Sequence, residues 1–172
     1  TSFTSVASVP VEVQQAAALA RGIDQAAHRG ALQGGGRTLA VLGSGLLKPY
    51  PPEAKDLMPS ISKRGAVLSE FPLATGPQKH HFPRRNRVIS GLSRGVLVIE
   101  AARESGSLIT VDWALEQGRE VLACPGRAGD PLAGGVNRLI KDGATLVETA
   151  ADVLEALGLE APEGAPQAPE KA

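Results

Sequence analysis

Short aliphatic runs alternate with longer helix-forming stretches over most of this chain. The runs are rich in Val, Leu, Ile and Ala and lie at 38–42, 66–69, 96–99, 120–124 and 145–147. Helical stretches follow them at 52–63, 84–92, 108–117, 136–142 and 151–157. Continuous apolar strands separated by helices are typical of parallel sheets that are covered on both faces. The pattern predicts an α/β fold, a doubly wound and mostly parallel sheet with a Rossmann-like three-layer architecture.

The two ends of the chain lack this alternation. Residues 1–10 are small and polar and predict an irregular lead-in or a poor strand, whereas 11–32 is alanine-rich and helical in texture. Asp24 is suited to cap a second helix within that stretch. After Leu157 the sequence is rich in Pro, Ala and Glu, which is typical of a disordered linker. We expect one domain over 1–158 and a disordered tail over 159–172, either free or leading to a further domain.

The composition supports the layered fold and limits the function classes. Hydrophobic residues make up 42% of the chain and aromatic residues only 3%, so the core must be aliphatic. The single cysteine, Cys124, excludes an internal disulfide framework and a Cys-rich metal motif, and we expect a buried thiol. These residues include no signal peptide and no apolar run of membrane-spanning length. We therefore expect a cytoplasmic protein without a membrane partner.

Positive charge is concentrated in one segment, although 18 basic and 18 acidic residues give a net charge of zero. The segment 79–87 has no acidic residue and combines four cations with an aromatic ring and an amide, namely Lys79, Phe82, Arg84, Arg85, Asn86 and Arg87. Guanidinium groups bind phosphate oxygens bidentately, and an aromatic ring gives an unpaired base a surface to stack on. The segment therefore predicts a binding site for single-stranded nucleic acid.

Pro83 is well placed to begin a helix at Arg84. The three arginines and Asn86 would then lie in the first turn, where free backbone N–H groups favour an anion. Cations are unfavourable at that end of the helix dipole, so we interpret their presence as a sign of a bound anion. The alternative is an ordinary solvated, positively charged helix face.

Two further turns follow predicted strands, Gly43-Ser44-Gly45 and Ser105-Gly106-Ser107. Because the carboxyl ends of parallel strands share one edge of a sheet, we expect these turns to lie near the loop 70–82. A glycine-rich turn lets backbone amides approach a phosphate. The alternatives are a plain tight turn at 43–45 and a helix cap at 105–107.

The turn at 43–45 does not complete a dinucleotide-binding motif. Lys48 stands where the third glycine is required, and Pro49 and Pro52 interrupt the helix that should follow. We therefore expect no nicotinamide or flavin cofactor.

Several motifs resemble the DNA-processing protein A family, also called DprA or Smf. They occur in the family's order between Ala18 and Leu157. The motifs are Leu-Ala-Arg-Gly-Ile-Asp at 19–24, Val-Leu-Gly-Ser-Gly at 41–45, Ser-Glu-Phe-Pro at 69–72, Phe-Pro-Arg-Arg-Asn-Arg-Val-Ile-Ser-Gly-Leu-Ser at 82–93 and Ser-Gly-Ser-Leu-Ile-Thr at 105–110.

The resemblance implies an extended Rossmann-like domain that binds single-stranded DNA in a basic strand-end pocket and forms a homodimer. It implies a role in natural transformation and recombination, in which the protein protects incoming single strands and helps to load the RecA recombinase. No catalytic residue is implied. Carried over by motif, the pocket candidates are Arg21, Gly22, Gly43, Ser44, Gly45, Lys79, Phe82, Arg84, Arg85, Asn86, Arg87, Ser105, Gly106 and Ser107.

The sequence departs from the family at its start. Residues 1–17 do not resemble the family's first strand, turn and helix, and Ala17-Ala18 replaces its usual Ser-Gly. We therefore expect the first βα unit to be missing or shortened. The helical domain often found ahead of this core and the winged-helix-like domain often found behind it are not part of this sequence.

An enzyme of the nucleotide phosphoribohydrolase class is the main alternative. Such enzymes resemble this fold but carry a Pro-Gly-Gly-x-Gly-Thr turn and a glutamate, whereas residues 105–110 lack that glycine pattern and the acid. We expect His28 to be a core or capping residue and His80-His81 an exposed pair near the pocket. A third possibility is a structural domain that binds a protein partner. We favour a DNA-binding module without turnover.

Overall fold

The computed structural model describes residues 14–160, and two sets of parallel strands form its framework. The strands are β1 (Gln14–Ala17), β2 (Arg37–Leu42), β3 (Ala66–Ser69), β4 (Gly95–Val98), β5 (Glu120–Ala123) and β6 (Thr145–Leu146). They pair in the orders β1-β2-β3 and β4-β5-β6, and all four ladders are parallel. The predicted mixed α/β fold with parallel strands is confirmed. The strands nevertheless form two small sheets, and no ladder joins these within the described residues.

Helices connect the strands within and between the sheets. They are α1 (Ile23–Gln33), α2 (Met58–Arg64), α3 (His81–Gly91), α4 (Ser107–Glu116), α5 (Gly134–Lys141) and α6 (Ala150–Ala156), with short 3₁₀ turns at Pro52–Asp56 and Pro131–Ala133. Helix α3 packs against β1 and β2 and also against α4, so it joins the two halves of the fold. None of the helices between residues 14 and 160 is both long and apolar enough to cross a membrane.

The register of the first sheet brings its strand ends together. Ala17 lies opposite Ala40, and Leu42 lies opposite Ser69, the last residue of β3. Because the strands are parallel, the loops that leave β2 and β3 begin side by side at the carboxyl edge.

Strand β2 is buried on both faces, as its continuous aliphatic sequence predicts. Ala40 and Leu42 pack with Ile61 on the face covered by α2, whereas Val41 packs with Ile89 of α3 on the other face. This alternation follows from the two-residue period of a strand. The core of the first sheet is therefore a three-layer arrangement around β2.

The second sheet has a separate aliphatic core. It consists of small and branched side chains from β4, β5, α4, α5 and the adjoining loops: Val98, Ala101, Val111, Ala114, Val121, Ala123, Ala133 and Val136. Cys124 follows β5 and is only half-buried, so the expected buried thiol is not fully enclosed. Burial nevertheless raises the pKa of this thiol. The low aromatic content of the chain is thus matched by cores built from small residues.

Three segments differ from their predicted structure. The alanine-rich stretch from residue 11 was expected to be helical, but Gln14–Ala17 forms β1, because pairing with β2 overrides local helix propensity. The helix predicted over 52–63 is divided into a 3₁₀ turn and α2. Helix α3 begins at His81 rather than Arg84. Pro83 is therefore the third residue of the helix, where it is tolerated because the N–H groups of the first helical turn have no partner within the helix. The predictions for 1–13 and for the tail from 161 lie outside the described residues.

A buried polar network fixes α1 to the first sheet. His28 is fully buried, which confirms it as a core residue, and its Nδ1 and Nε2 lie 2.6 Å from Thr38 Oγ1 and 2.8 Å from the Ala18 carbonyl oxygen. Thr38 Oγ1 is also 2.9 Å from Gln15 Oε1. Burial lowers the pKa of His28, an effect that the bond to Ala18 partly opposes. The neutral imidazole is therefore the form that the core favours.

This lowered pKa predicts a loss of stability in mild acid. Below the ordinary pKa of 6.5, the unfolded chain takes up a proton that folded His28 resists. The stabilisation of the folded state by neutral His28 is therefore complete above about pH 6.5 and is lost as the pH falls below that value. Urea unfolding between about pH 7.5 and about pH 5 should show this slope. His28→Asn should flatten it, whereas His80→Asn, at an exposed position, should not. An unchanged slope in His28→Asn would contradict the assignment.

Candidate nucleic-acid interface

Hydrogen bonds join the turn after β2 to the loop after β3. The Gly45 N–H donates to the Thr75 carbonyl oxygen at 2.8 Å, and the Ser69 hydroxyl donates to the Ser44 carbonyl oxygen at 2.8 Å. Gly43, Ser44 and Gly45 are all buried. The Ser44 hydroxyl has no hydrogen-bond partner among the described residues. The turn therefore lets protein segments approach closely, and its Gly45 amide is already engaged by the loop after β3.

The first helical turn of α3 packs against the Gly43-Ser44-Gly45 turn. The His81 Nδ1 donates to the Gly43 carbonyl oxygen at 3.2 Å, and its ring stacks on Phe71 with centroids 4.0 Å apart. A Cβ at position 43 would lie 2.6 Å from Cδ1 of Phe82, so only glycine leaves room for that ring. His81 is consequently buried, and the predicted exposed histidine pair is wrong because only His80 is exposed.

Arg85 is directed into the protein. Only 8% of this residue is exposed, and its Nη1 donates to the Val41 carbonyl oxygen at 2.7 Å. Its Nε donates to Oδ1 of half-buried Asn86 at 3.1 Å. Burial lowers the pKa of Arg85, and Asp24 opposes that shift. Burial likewise raises the pKa of Asp24, against the effects of Arg85 and the Ala20 backbone. Arg85 thus holds α3 to the end of β2.

Two other predicted arginines lie at the surface in ion pairs. Arg21 pairs with Glu53, and Arg87 pairs with Glu70. The four side chains are between 43% and 70% exposed, so these pairs are screened by water and hold their geometry weakly. Gly22, next to Arg21, has φ of 89° and forms the N-cap of α1. Both arginines can therefore exchange their carboxylate for another anion at little cost.

Lys79 and Arg84 are exposed, and no carboxylate of the described part of the chain neutralises their charges. Among residues 14–160, neither forms an ion pair with a carboxylate. Lys79 lies just before α3, and Arg84 lies one turn into it, beside buried Arg85. The two exposed cations therefore flank the point at which α3 meets the strand-end loops.

The Ser105-Gly106-Ser107 turn begins α4 at the same end of the fold as α3. Trp113 Nε1 donates to the Pro83 carbonyl oxygen at 3.3 Å, and Gln117 Nε2 donates to that of Arg87 at 3.0 Å. Each pair is 30 residues apart in sequence, so the two helices run parallel. The Ser107 N–H donates to Ser105 Oγ at 3.3 Å, but the N-cap of α4 is Gly106 and no side chain caps this helix, so the helix-cap role considered from the sequence is not found.

Two cavities lie away from these residues. One, of about 280 Å³, is lined by Arg103, Asp112 and Arg138 among others. The second, of about 600 Å³, lies at the amino edge of the first sheet beside Arg37 and Lys63. Neither contains a predicted site residue. The candidate interface is therefore defined by exposed charges and not by either cavity.

Sequence reasoning missed three residues at this interface. Tyr50 is 48% exposed, and its ring centroid is 5.9 Å from that of Phe82. Glu53 and Glu70 neutralise two of the predicted cations. Glu70 belongs to the motif at 69–72, and Tyr50 is the only tyrosine of the chain, so both could have been singled out. Glu53 belongs to none of the sequence motifs, so nothing in the sequence singled it out.

The fold and the convergent strand-end loops define a Rossmann-like α/β domain with a cationic face. The family model of DNA recombination-mediator protein A matches residues 12–158. The chain therefore belongs to this family, and the resemblance seen in its motifs is confirmed.

Named relatives agree with this assignment. Protein Smf of Escherichia coli K12 is 54% identical over 140 residues, which cover 81% of this chain and 37% of that protein. DNA processing protein DprA of Streptococcus pneumoniae R6 is 52% identical over 136 residues, which cover 79% and 48%. The chain thus spans less than half the length of these two relatives.

Two solved structures share the fold. DprA from Streptococcus pneumoniae superposes with a TM-score of 0.78 at 48% identity, covering 84% of this chain and 51% of that one. DNA processing protein A from Helicobacter pylori superposes with a TM-score of 0.74 at 26% identity, covering 83% and 64%. The structure of the Helicobacter pylori protein is described as giving insights into a unique single-stranded DNA binding mode.

The neighbouring arginines of α3 should differ sharply in their effect on stability. Arg85→Met should lower the free energy of unfolding by about 1–3 kcal/mol, because it leaves the Val41 carbonyl without its donor. Arg84→Met should change it by no more than about 0.5 kcal/mol, since Arg84 is exposed. Urea unfolding of both variants measures the difference. Equal effects at the two positions would show that Arg85 is not a structural residue.

Proposed function

We propose that this domain binds single-stranded DNA at its strand-end face, which we define as the loops 43–50 and 70–80 with the start of α3. The observation that most directly supports this proposal is that Lys79 and Arg84 are exposed there without a carboxylate partner among the described residues. Such cations bind phosphates regardless of sequence. The description of the Helicobacter pylori relative supports a single strand as the ligand. Binding breaks no bond in the DNA.

We further propose the biological setting of this binding. The whole protein acts in DNA processing during natural transformation and recombination, protects incoming single strands and helps to load a RecA-type recombinase. It acts as a cytoplasmic homodimer. Family membership and the names of the relatives support this role.

Removing the charges of Lys79 and Arg84 should weaken DNA binding in a salt-dependent way. In Lys79→Gln/Arg84→Gln, the log–log slope of affinity against salt for oligo-dT should become shallower by about 1.4, because each phosphate contact with a single strand contributes about 0.7. Fluorescence anisotropy at several salt concentrations measures this slope.

The matched control lies at the opposite edge of the first sheet. Lys63→Gln/Arg64→Gln removes the same number of charges beside the amino ends of the strands. This variant should keep the slope of the wild type. If the two double variants lose affinity equally, binding depends on net charge and not on the strand-end face. An unchanged slope in folded Lys79→Gln/Arg84→Gln would refute the proposal.

The ion pairs of Arg21 and Arg87 should compete with DNA. Glu53→Gln and Glu70→Gln each free an arginine for phosphate, so each should raise the affinity for oligo-dT at low salt by about 1.5- to 5-fold. Asp142→Asn, which breaks the distant Arg138–Asp142 pair, should have no such effect. If neither glutamine variant binds more tightly, Arg21 and Arg87 do not contact the DNA backbone.

A further inference from the structure

The only tyrosine of the chain lies at the surface, next to Phe82 and near Arg21. Tyr50 lies between β2 and the first 3₁₀ turn, and 48% of it is exposed. Its ring is tilted by 46° to that of Phe82, with centroids 5.9 Å apart. A large aromatic side chain with this exposure can still accept a second ring on its free surface.

Phe82, in contrast, is largely engaged by the protein. Its ring edge packs so closely on Gly43 that a Cβ there would be 2.6 Å from Cδ1. The Arg85 guanidinium carbon lies 5.9 Å from the ring centroid, and Tyr50 adjoins the ring as well. Phe82 is accordingly half-buried. The ring that the sequence suggested for base stacking is the less available of the two.

The surroundings of Tyr50 match the chemistry of a single strand. Arg21 lies near enough for Tyr50 to add to the raised pKa of Arg21, which is due chiefly to Glu53. Exposed Leu47 and Leu73 are held together by a backbone hydrogen bond of 3.0 Å and extend the apolar surface of the same loops. Proteins that bind single strands combine cations for the phosphates with aromatic rings for the bases.

We propose that Tyr50 is the base-stacking residue of the strand-end face. An unpaired base lies on the exposed surface of its ring, Phe82 supports the ring from the protein side, and exposed cations such as Arg84 bind the phosphates. This inference rests on the proposed DNA-binding function and names the residue that contacts bases. It assigns to Tyr50 the stacking role that the sequence suggested for Phe82. The neighbouring positive charges favour a nucleic acid over a second protein as the occupant.

The test distinguishes contacts to the DNA bases from contacts to the DNA backbone. Tyr50→Ala should weaken binding to oligo-dT by about 5- to 100-fold, whereas Tyr50→Phe, which keeps the ring, should bind like the wild type. An abasic oligonucleotide of the same length offers phosphates only, so the wild type and Tyr50→Ala should bind it equally. Leu92→Ala, an exposed position near the far end of α3, is the matched control and should leave both affinities unchanged. Urea unfolding verifies that each variant is folded.

A spectroscopic measurement reports on Tyr50 directly. In Trp113→Phe, Tyr50 is the only tyrosine and no tryptophan remains, so tyrosine emission comes from this one ring. Stacking should quench that emission on addition of oligo-dT, after correction for absorption by the DNA. The abasic oligonucleotide should leave the emission unchanged.

The outcomes separate this inference from the proposed function. If the wild type binds neither oligonucleotide, the DNA-binding function itself fails. If the wild type binds both, Tyr50→Ala binds oligo-dT equally well and the Tyr50 emission of Trp113→Phe is not quenched, the function stands and the inference is overturned. An equal loss for both oligonucleotides would make Tyr50 a structural or phosphate-positioning residue, which also overturns it. The inference is also overturned if Tyr50→Ala changes the oligomeric state in sedimentation but leaves the affinity for oligo-dT unchanged.

Discussion

The attachment of α3 to the carboxyl end of β2 is the constraint on which the rest of the interface depends. At its carboxyl end the strand has buried carbonyl groups that need donors. Arg85 supplies one to Val41, and His81 supplies one to Gly43. Because both donors belong to α3, satisfying the strand end also fixes the position of the helix. The glycine at 43 then allows the ring of Phe82 to close the contact.

This attachment explains why neighbouring cations in one short segment have different roles. Each step along an α-helix turns the side-chain direction by about 100°, so consecutive residues cannot share an environment. Arg85 points inward, where its charge is shared with buried carbonyl and amide groups and with Asp24. Arg84 points to solvent. Arg87 faces Glu70 on the loop after β3. A cluster that looks uniform in sequence therefore combines one structural cation with several surface cations.

The surface charges are moderated by nearby carboxylates, which is consistent with a chain of zero net charge. Two arginines of the predicted site are paired with Glu53 and Glu70, while Lys79 and Arg84 have no such partner among the described residues. Exposed pairs of this kind are weak, so a polyanion can replace the carboxylates. The predicted site thus combines two cations that have no carboxylate partner among residues 14–160, Lys79 and Arg84, with two whose partners can be exchanged, Arg21 and Arg87.

The sequence by itself determined the α/β class, the aliphatic cores, the boundaries of β3 at 66–69 and the family, because continuous apolar runs and ordered motifs are local signals. Only the tertiary structure decided that 14–17 is a strand, that Arg85 is buried and that Tyr50 lies beside Phe82. These features depend on partners distant in the chain, 44 residues apart for Arg85 and Val41 and 32 for Tyr50 and Phe82. No local pattern encodes which side chain will meet such a partner.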